Sequence, residues 1–146
     1  MELRKLGRTS IMISPVIMGT WQAGRDMWAD IDDGETTRAI QAAVDEGITT
    51  IDTAAVYGKG HSERVVGKAV AERRHEVVIA TKVFANELRH DQVLAACERS
   101  LKNLGTDYID LFQIHWPAGA FGSPVVPIEE TMRALNDLKD QGKIRA

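Results

Sequence analysis

Four side chains in this sequence have the types that proton transfer to a carbonyl requires: Asp52, Tyr57, Lys82 and His115. A free phenol titrates near pH 10 and donates a proton poorly at neutrality, so bringing it to about 7 takes roughly 4 kcal/mol. A lysine cation about 4 Å away offers on the order of 4 kcal/mol at an effective dielectric of 20. A buried lysine tends to lose its proton unless a counter-ion holds it charged, and Asp52 is the available carboxylate. His115 then binds or polarises the carbonyl oxygen. In this reading Tyr57 donates the proton, and hydride must come from a cofactor because none of these side chains supplies it.

Taken alone, Asp52 reads equally well as a helix cap and Tyr57 as half-buried core. Their place in a repeating pattern argues otherwise. Val16-Ile17-Met18 runs into Gly19, Ile48-Thr49-Thr50-Ile51 into Asp52, Val77 to Thr81 into Lys82, and Tyr108 to Ile114 into His115. Gly19, Asp52, Lys82 and His115 lie 30 to 33 residues apart, the length of one strand-plus-helix unit. Strands separated by helices pair in parallel with right-handed crossovers, so all four ends emerge on one rim.

The intervening segments read as helices. Asp33 caps a helix from Glu35 to Glu46, with Ile40, Ala43 and Val44 on one face and Gly47 after it. Ser62 caps the next, which carries Val65, Val66, Ala69 and Val70 inward and ends among Arg73, Arg74 and His75. Asp91 caps a third through Leu104, and Pro127 opens a fourth lined by Ile128, Met132, Leu135 and Leu138. Residues 2–6 and 10–14 form a hairpin around Gly7-Arg8-Thr9, and Lys143 to Ala146 begins a fifth strand.

Bulk properties narrow the partners. A net charge of −3 without a basic cluster argues against nucleic acid or an anionic membrane surface. The charged start, Met1 to Lys5, is followed by no long apolar run, so neither a signal peptide nor a spanning helix is expected. A single cysteine, Cys97, excludes an internal disulfide framework and fits a cytoplasmic protein, with the thiol read as core. Glu63 reads as a partner of the helix dipole and His61 as a solvated loop residue. His75 and His90 read as polar side chains turned to solvent, and no spacing suggests a metal site. Trp21, Trp28 and Trp116 lie on loops where they can wall a substrate pocket.

The chain resembles the amino-terminal half of an aldo-keto reductase. The resemblance rests on Leu6-Gly7-Arg8-Thr9, Met18-Gly19-Thr20-Trp21, Asp52-Thr53-Ala54 with Tyr57-Gly58, and Gly60-His61-Ser62-Glu63. It continues through Thr81-Lys82, Leu104 to Leu111, and His115-Trp116-Pro117. It implies a parallel (β/α)8 TIM-type barrel, of which residues 1–146 supply the hairpin and about the first four βα units, an incomplete domain. It also implies reduction of aldehydes or ketones with NADP(H), or alternatively NAD(H). Tyr57 would be the acid, Lys82 the group that lowers its pKa, Asp52 the partner of Lys82, and His115 the residue that orients the carbonyl. Gly19, Thr20, Trp21 and Asp52 fall at the nicotinamide end, and Trp21, Tyr57, His115 and Trp116 at the substrate. A barrel of this kind takes about 250 residues, so the 146 residues alone are expected to be inactive. Their first and fourth strands would be open edges prone to self-association. Two rival readings are a regulatory subunit of the ion-channel type and a barrel enzyme that forms a Schiff base on Lys82.

Overall fold

The structure, a computed structural model, describes residues 1–146. A two-stranded antiparallel hairpin, β1 (Arg4–Lys5) and β2 (Met12–Ile13), comes first, paired Arg4 to Ile13 and Lys5 to Met12. Its turn closes through Thr9, whose Oγ1 donates to Leu6 O at 2.7 Å and accepts from Ile11 N at 3.1 Å. Then follow β3 (Ile17–Gly19), α1 (Asp33–Asp45), β4 (Thr50–Asp52), α2 (His61–Val70), β5 (Val78–Val83), α3 (His90–Leu104), β6 (Leu111–Ile114) and α4 (Ile128–Asp140). The four later strands form one parallel sheet in the order β3-β4-β5-β6. This is the parallel strand–helix succession that the spacing of strand ends predicts, and it is consistent with part of the (β/α) barrel that the resemblance implies.

Register and alternation decide which side chains meet. Gly19 lies beside Asp52, Asp52 beside Ala80, and Lys82 beside Gln113. Successive residues of a strand face opposite sides. Ile51, Ile79, Val83 and Phe112 therefore point to the convex face, where they pack with Ile40, Val66, Val93 and Cys97 from the helices. Asp52, Ala80, Lys82 and Gln113 point to the concave face. The hairpin lies across the lower part of that face, with Leu6 and Ile13 closing a small cavity against Thr50 and Val78. Cys97 is 0% exposed, and burial pushes its thiol up to about 12, as core placement implies.

At the foot of the sheet sits Asp110, fully buried. It accepts from Arg74 Nη2 and Arg145 Nη1, each at 2.7 Å, and from the Ile79 backbone N–H at 3.0 Å. Arg74, expected to complement a helix dipole, instead reaches inward to Asp110 and Tyr108 O and lies 4.0 Å over the Tyr108 ring.

Several boundaries differ from expectation for local reasons. Asp32, not Asp33, caps α1, its Oδ1 accepting from Glu35 N at 2.8 Å. The Asp33 carboxylate is instead engaged by Arg25 and His61, at 2.7 and 2.9 Å. Ser62 is not a cap either: α2 starts at His61 after Gly60, whose φ of 82° suits glycine, and Ser62 turns inward. Asp91 falls inside the first turn of α3, and Pro127 immediately precedes α4. The expected fourth strand, Tyr108 to Ile114, is observed only over Leu111–Ile114; before it Ile109 forms a parallel bridge to Ile144, and residues 143–146 hydrogen-bond to Ile109, Asp110 and Phe112. A single parallel bridge, not a strand, thus lies where the sequence predicts a fifth strand to begin. It covers part of an edge that was expected to stay open. No helix is long and apolar enough to cross a membrane.

Candidate active site

Lys82 and Asp52 meet at the rim. Lys82 Nζ donates to Asp52 Oδ2 and to Thr53 O, both at 2.7 Å. The lysine side chain is 12% exposed and the aspartate 32%, so the pair is shielded on the lysine side and open on the other. Nζ also lies 5.1 Å from the centre of the Tyr57 ring. The ammonium thus lies against the face of the ring, within cation–π distance. The His115 ring meets Tyr57 edge-on at 5.7 Å between centres, with planes at 82°. All four side chains chosen from the sequence converge.

Two backbones locked together hold Tyr57 in place. Gly24 ends a short 3-10 turn, Trp21–Gly24, that follows β3. A Cβ on Gly24 would approach Tyr57 C to 2.7 Å, and one on Gly58 would approach Gly24 O to 2.2 Å. Gly58 also has φ of 63°, and its N–H donates to Asp26 Oδ2 at 2.7 Å. Only glycine at both positions lets the loops touch this closely.

Beneath the rim runs a buried chain of hydroxyls. Thr20 Oγ1 donates to Asp52 O at 2.9 Å. Ser62 Oγ lies 2.8 Å from Thr20 Oγ1, 2.8 Å from Thr20 O and 2.9 Å from Thr53 Oγ1. Each hydroxyl has a single proton. With Thr20 directed at Asp52 O, Ser62 must donate toward Thr20 and Thr53 toward Ser62. Thr20, which the resemblance places at the nicotinamide end, is only 3% exposed. Its side chain belongs to the scaffold under Asp52, and the exposed members of that group are Gly19 and Trp21.

His115 has its pKa lowered, first by burial and next by the Lys82 charge, with Asp52 opposing. Its Nδ1 is buried without a hydrogen-bond partner. An orphaned buried N–H is rarer than an orphaned acceptor. We therefore assign the proton to Nε2, which makes the neutral ring a donor. An NMR titration of His115 is expected to show a midpoint below the ordinary value of about 6.5. The folded state binds fewer protons here than the unfolded chain. The His115 contribution to stability is therefore present above about pH 6.5 and is lost as pH falls through the lowered folded value. A midpoint at or above the free value would contradict the neutral donor.

The profile of the Aldo/keto reductase family matches residues 15–146. The chain belongs to the aldo/keto reductase family. It is 46% identical to aldo-keto reductase YhdN of Bacillus subtilis, an alignment covering 100% of this chain and 46% of that protein. Among solved structures, the thermostable aldo-keto reductase Tm1743 in complex with epalrestat superimposes with a TM-score of 0.86 at 40% identity, covering 99% of this chain and 52% of that one. An aldo-keto reductase from Klebsiella pneumoniae in complex with NADPH gives a TM-score of 0.80 at 36% identity, covering 92% and 44%. The chain spans about half the length of the curated relatives it matches.

This aldo/keto reductase chain surrounds its rim residues with aromatic rings. Trp21 packs against Trp28 at 5.9 Å and Tyr57 at 6.4 Å, and Trp116 lies 6.3 Å from His115. Two further walls were missed in the sequence. Phe84 meets His115 at 5.8 Å and stacks on Phe121 at 5.6 Å, and Phe121 meets Trp116 at 5.2 Å. Phe84 follows Lys82 by two residues, so strand alternation could have placed it on the same face. Phe121 adopts φ of 55° in an irregular loop, and no local pattern announces it. His61 and His90, read as solvated, pair with Asp33 at 2.9 Å and Asp137 at 2.6 Å.

Proposed function

We propose that the protein to which residues 1–146 contribute reduces aldehydes or ketones to alcohols with NADP(H), and that this chain forms the first half of its barrel. The observation that carries the proposal is the Lys82 ammonium, held by Asp52 and Thr53 O beneath the Tyr57 ring with His115 alongside. NADP(H), when bound, supplies hydride. The rim has room for its nicotinamide end: a Cβ at Gly19 would meet nothing within 4 Å, and Asp52 and Trp21 border that space with partly open side chains. Residues Gly19, Trp21 and Asp52 would hold it there, above the Thr20 scaffold.

The chain's own groups account for the proton. His115 Nε2–H donates to the substrate oxygen and draws electron density toward it. Tyr57 gives its proton to that oxygen as charge develops, and Lys82 stabilises the phenolate left behind. Asp52 keeps a cation in place that would otherwise be poorly solvated under the ring. A Schiff-base lysine would be one without a carboxylate partner, and here Nζ contacts a carboxylate at 2.7 Å. The Trp21, Phe84, Trp116 and Phe121 rings would enclose an apolar substituent on the carbonyl.

The test is NADPH consumption by the complete protein with a panel of small aldehydes and ketones. Tyr57→Phe, which removes only the hydroxyl, is expected to lower kcat by about 10²- to 10⁴-fold. Retention of kcat within about threefold would remove Tyr57 from the acid role.

A further inference from the structure

The first turn of α2 carries two polar side chains that are each 0% exposed, Ser62 and Glu63. Ser62 belongs to the hydroxyl chain under Asp52. Glu63 accepts from Thr81 Oγ1 at 2.7 Å through Oε1, and from Asn103 Nδ2 at 2.9 Å through Oε2. Both donors are neutral. A carboxylate buried without a cation costs several kcal/mol relative to water, even when hydrogen-bonded. A site that needed only to be filled would be filled at lower cost by an apolar side chain.

What Glu63 grips gives a reason for it. Thr81 and Lys82 are neighbours in β5 and face opposite sides of the sheet, so fixing the height of Thr81 fixes the Cα from which Lys82 reaches. Lys82 crosses to β4, where its partners are Asp52 and Thr53 O. The end of β4 is held by Ser62 through Thr53, and the end of β3 by Ser62 through Thr20. Adjacent residues of one helical turn therefore hold the two sides of the Lys82–Asp52 pair. Asn103 secures the turn from α3, and its Oδ1 accepts from Arg64 Nη1 at 3.3 Å.

We propose that Glu63 is a positioning residue for the acid pair, setting the reach of Lys82 through the hydroxyl of Thr81. This rests on the reading of Lys82 and Tyr57 given above. A displaced lysine weakens charge stabilisation in the transition state and leaves ground-state binding of the cofactor largely untouched. Loss of Glu63 therefore appears in kcat and not in KM, and only while Lys82 is present.

The complete protein is compared with Glu63→Ala, Glu63→Gln and Thr81→Val, each alone, and with Glu63→Ala in a Lys82→Met background. Leu138→Ala, a fully buried position in α4, serves as a control for lost stability. Glu63→Ala and Thr81→Val are expected to lower kcat per folded molecule by about 10- to 100-fold, with the cofactor KM unchanged within about twofold. Glu63→Gln, which keeps the volume and one acceptor oxygen, recovers most of the loss. On Lys82→Met, Glu63→Ala lowers the residual rate no further, and Leu138→Ala shifts Tm alone. Wild-type kcat in Glu63→Ala, or an equal loss on top of Lys82→Met, overturns the inference. Should Glu63→Ala fail to fold, Thr81→Val decides on the same criteria. A Lys82→Met protein with wild-type kcat would instead overturn the acid-pair reading itself.

Discussion

Lys82→Met is expected to lower kcat by about 10²- to 10⁴-fold, or roughly 3 to 5 kcal/mol of transition-state stabilisation. Methionine keeps much of the aliphatic stem, so the pocket stays filled while the charge and both 2.7 Å hydrogen bonds disappear. Tyr57 then loses the cation under its ring, and Asp52 remains partly buried without its partner. Asp52→Asn should cost less, because the ammonium keeps a carbonyl partner in Thr53 and Asn can still accept a hydrogen bond. Steady-state kcat on the complete protein checks the order. Equal or reversed losses would mean that the carboxylate, not the ammonium, dominates the site.

Asp110→Ala is expected to destabilise the protein by about 3 to 5 kcal/mol while leaving kcat per folded molecule unchanged. The substitution strips Arg74, Arg145 and the Ile79 N–H of their shared acceptor at a position with no solvent access. Arg74 is only 14% exposed and cannot easily turn to water. Urea unfolding should show a lower midpoint, and kinetics at low temperature the intact site. The contrast with Lys82 reflects where the two ion pairs lie. Asp110 sits at the foot of the sheet, where parallel barrels concentrate stability, and Lys82 at the rim, where they concentrate chemistry. A kcat loss comparable to that of Lys82→Met would contradict this division.

The placement of Asp52, Lys82 and His115 was legible because each follows an apolar run and the runs repeat at one unit's length, and Tyr57 was legible only as the tyrosine of the loop after Asp52. That pattern needs only local composition and spacing. The roles of Ser62 and Glu63 were not legible. A polar residue in a first helical turn has the same sequence signature whether it faces solvent as a cap or the interior as a ligand to neighbouring strands. Its direction is set by how the helix lies on the sheet. Asp32 and Asp33 show the same limit on a smaller scale. Either can cap α1, and Arg25 with His61 decides by drawing Asp33 away. Phe84 was within reach of strand alternation, whereas Phe121 depends on the path of an irregular loop.

The contact between Gly24 and Gly58 bears on where such a site can be altered. Because those two backbones touch, the Trp21 turn and the Tyr57 loop cannot be reshaped independently. A library that varies Trp21 or its neighbours to change substrate scope will disturb the proton donor at the same time. The segment from Pro117 to Pro127 carries no such tether to Tyr57 and reaches the site mainly through Phe121. Directed evolution of selectivity should therefore begin at Phe121 and Trp116, where the wall can be exchanged without moving the acid.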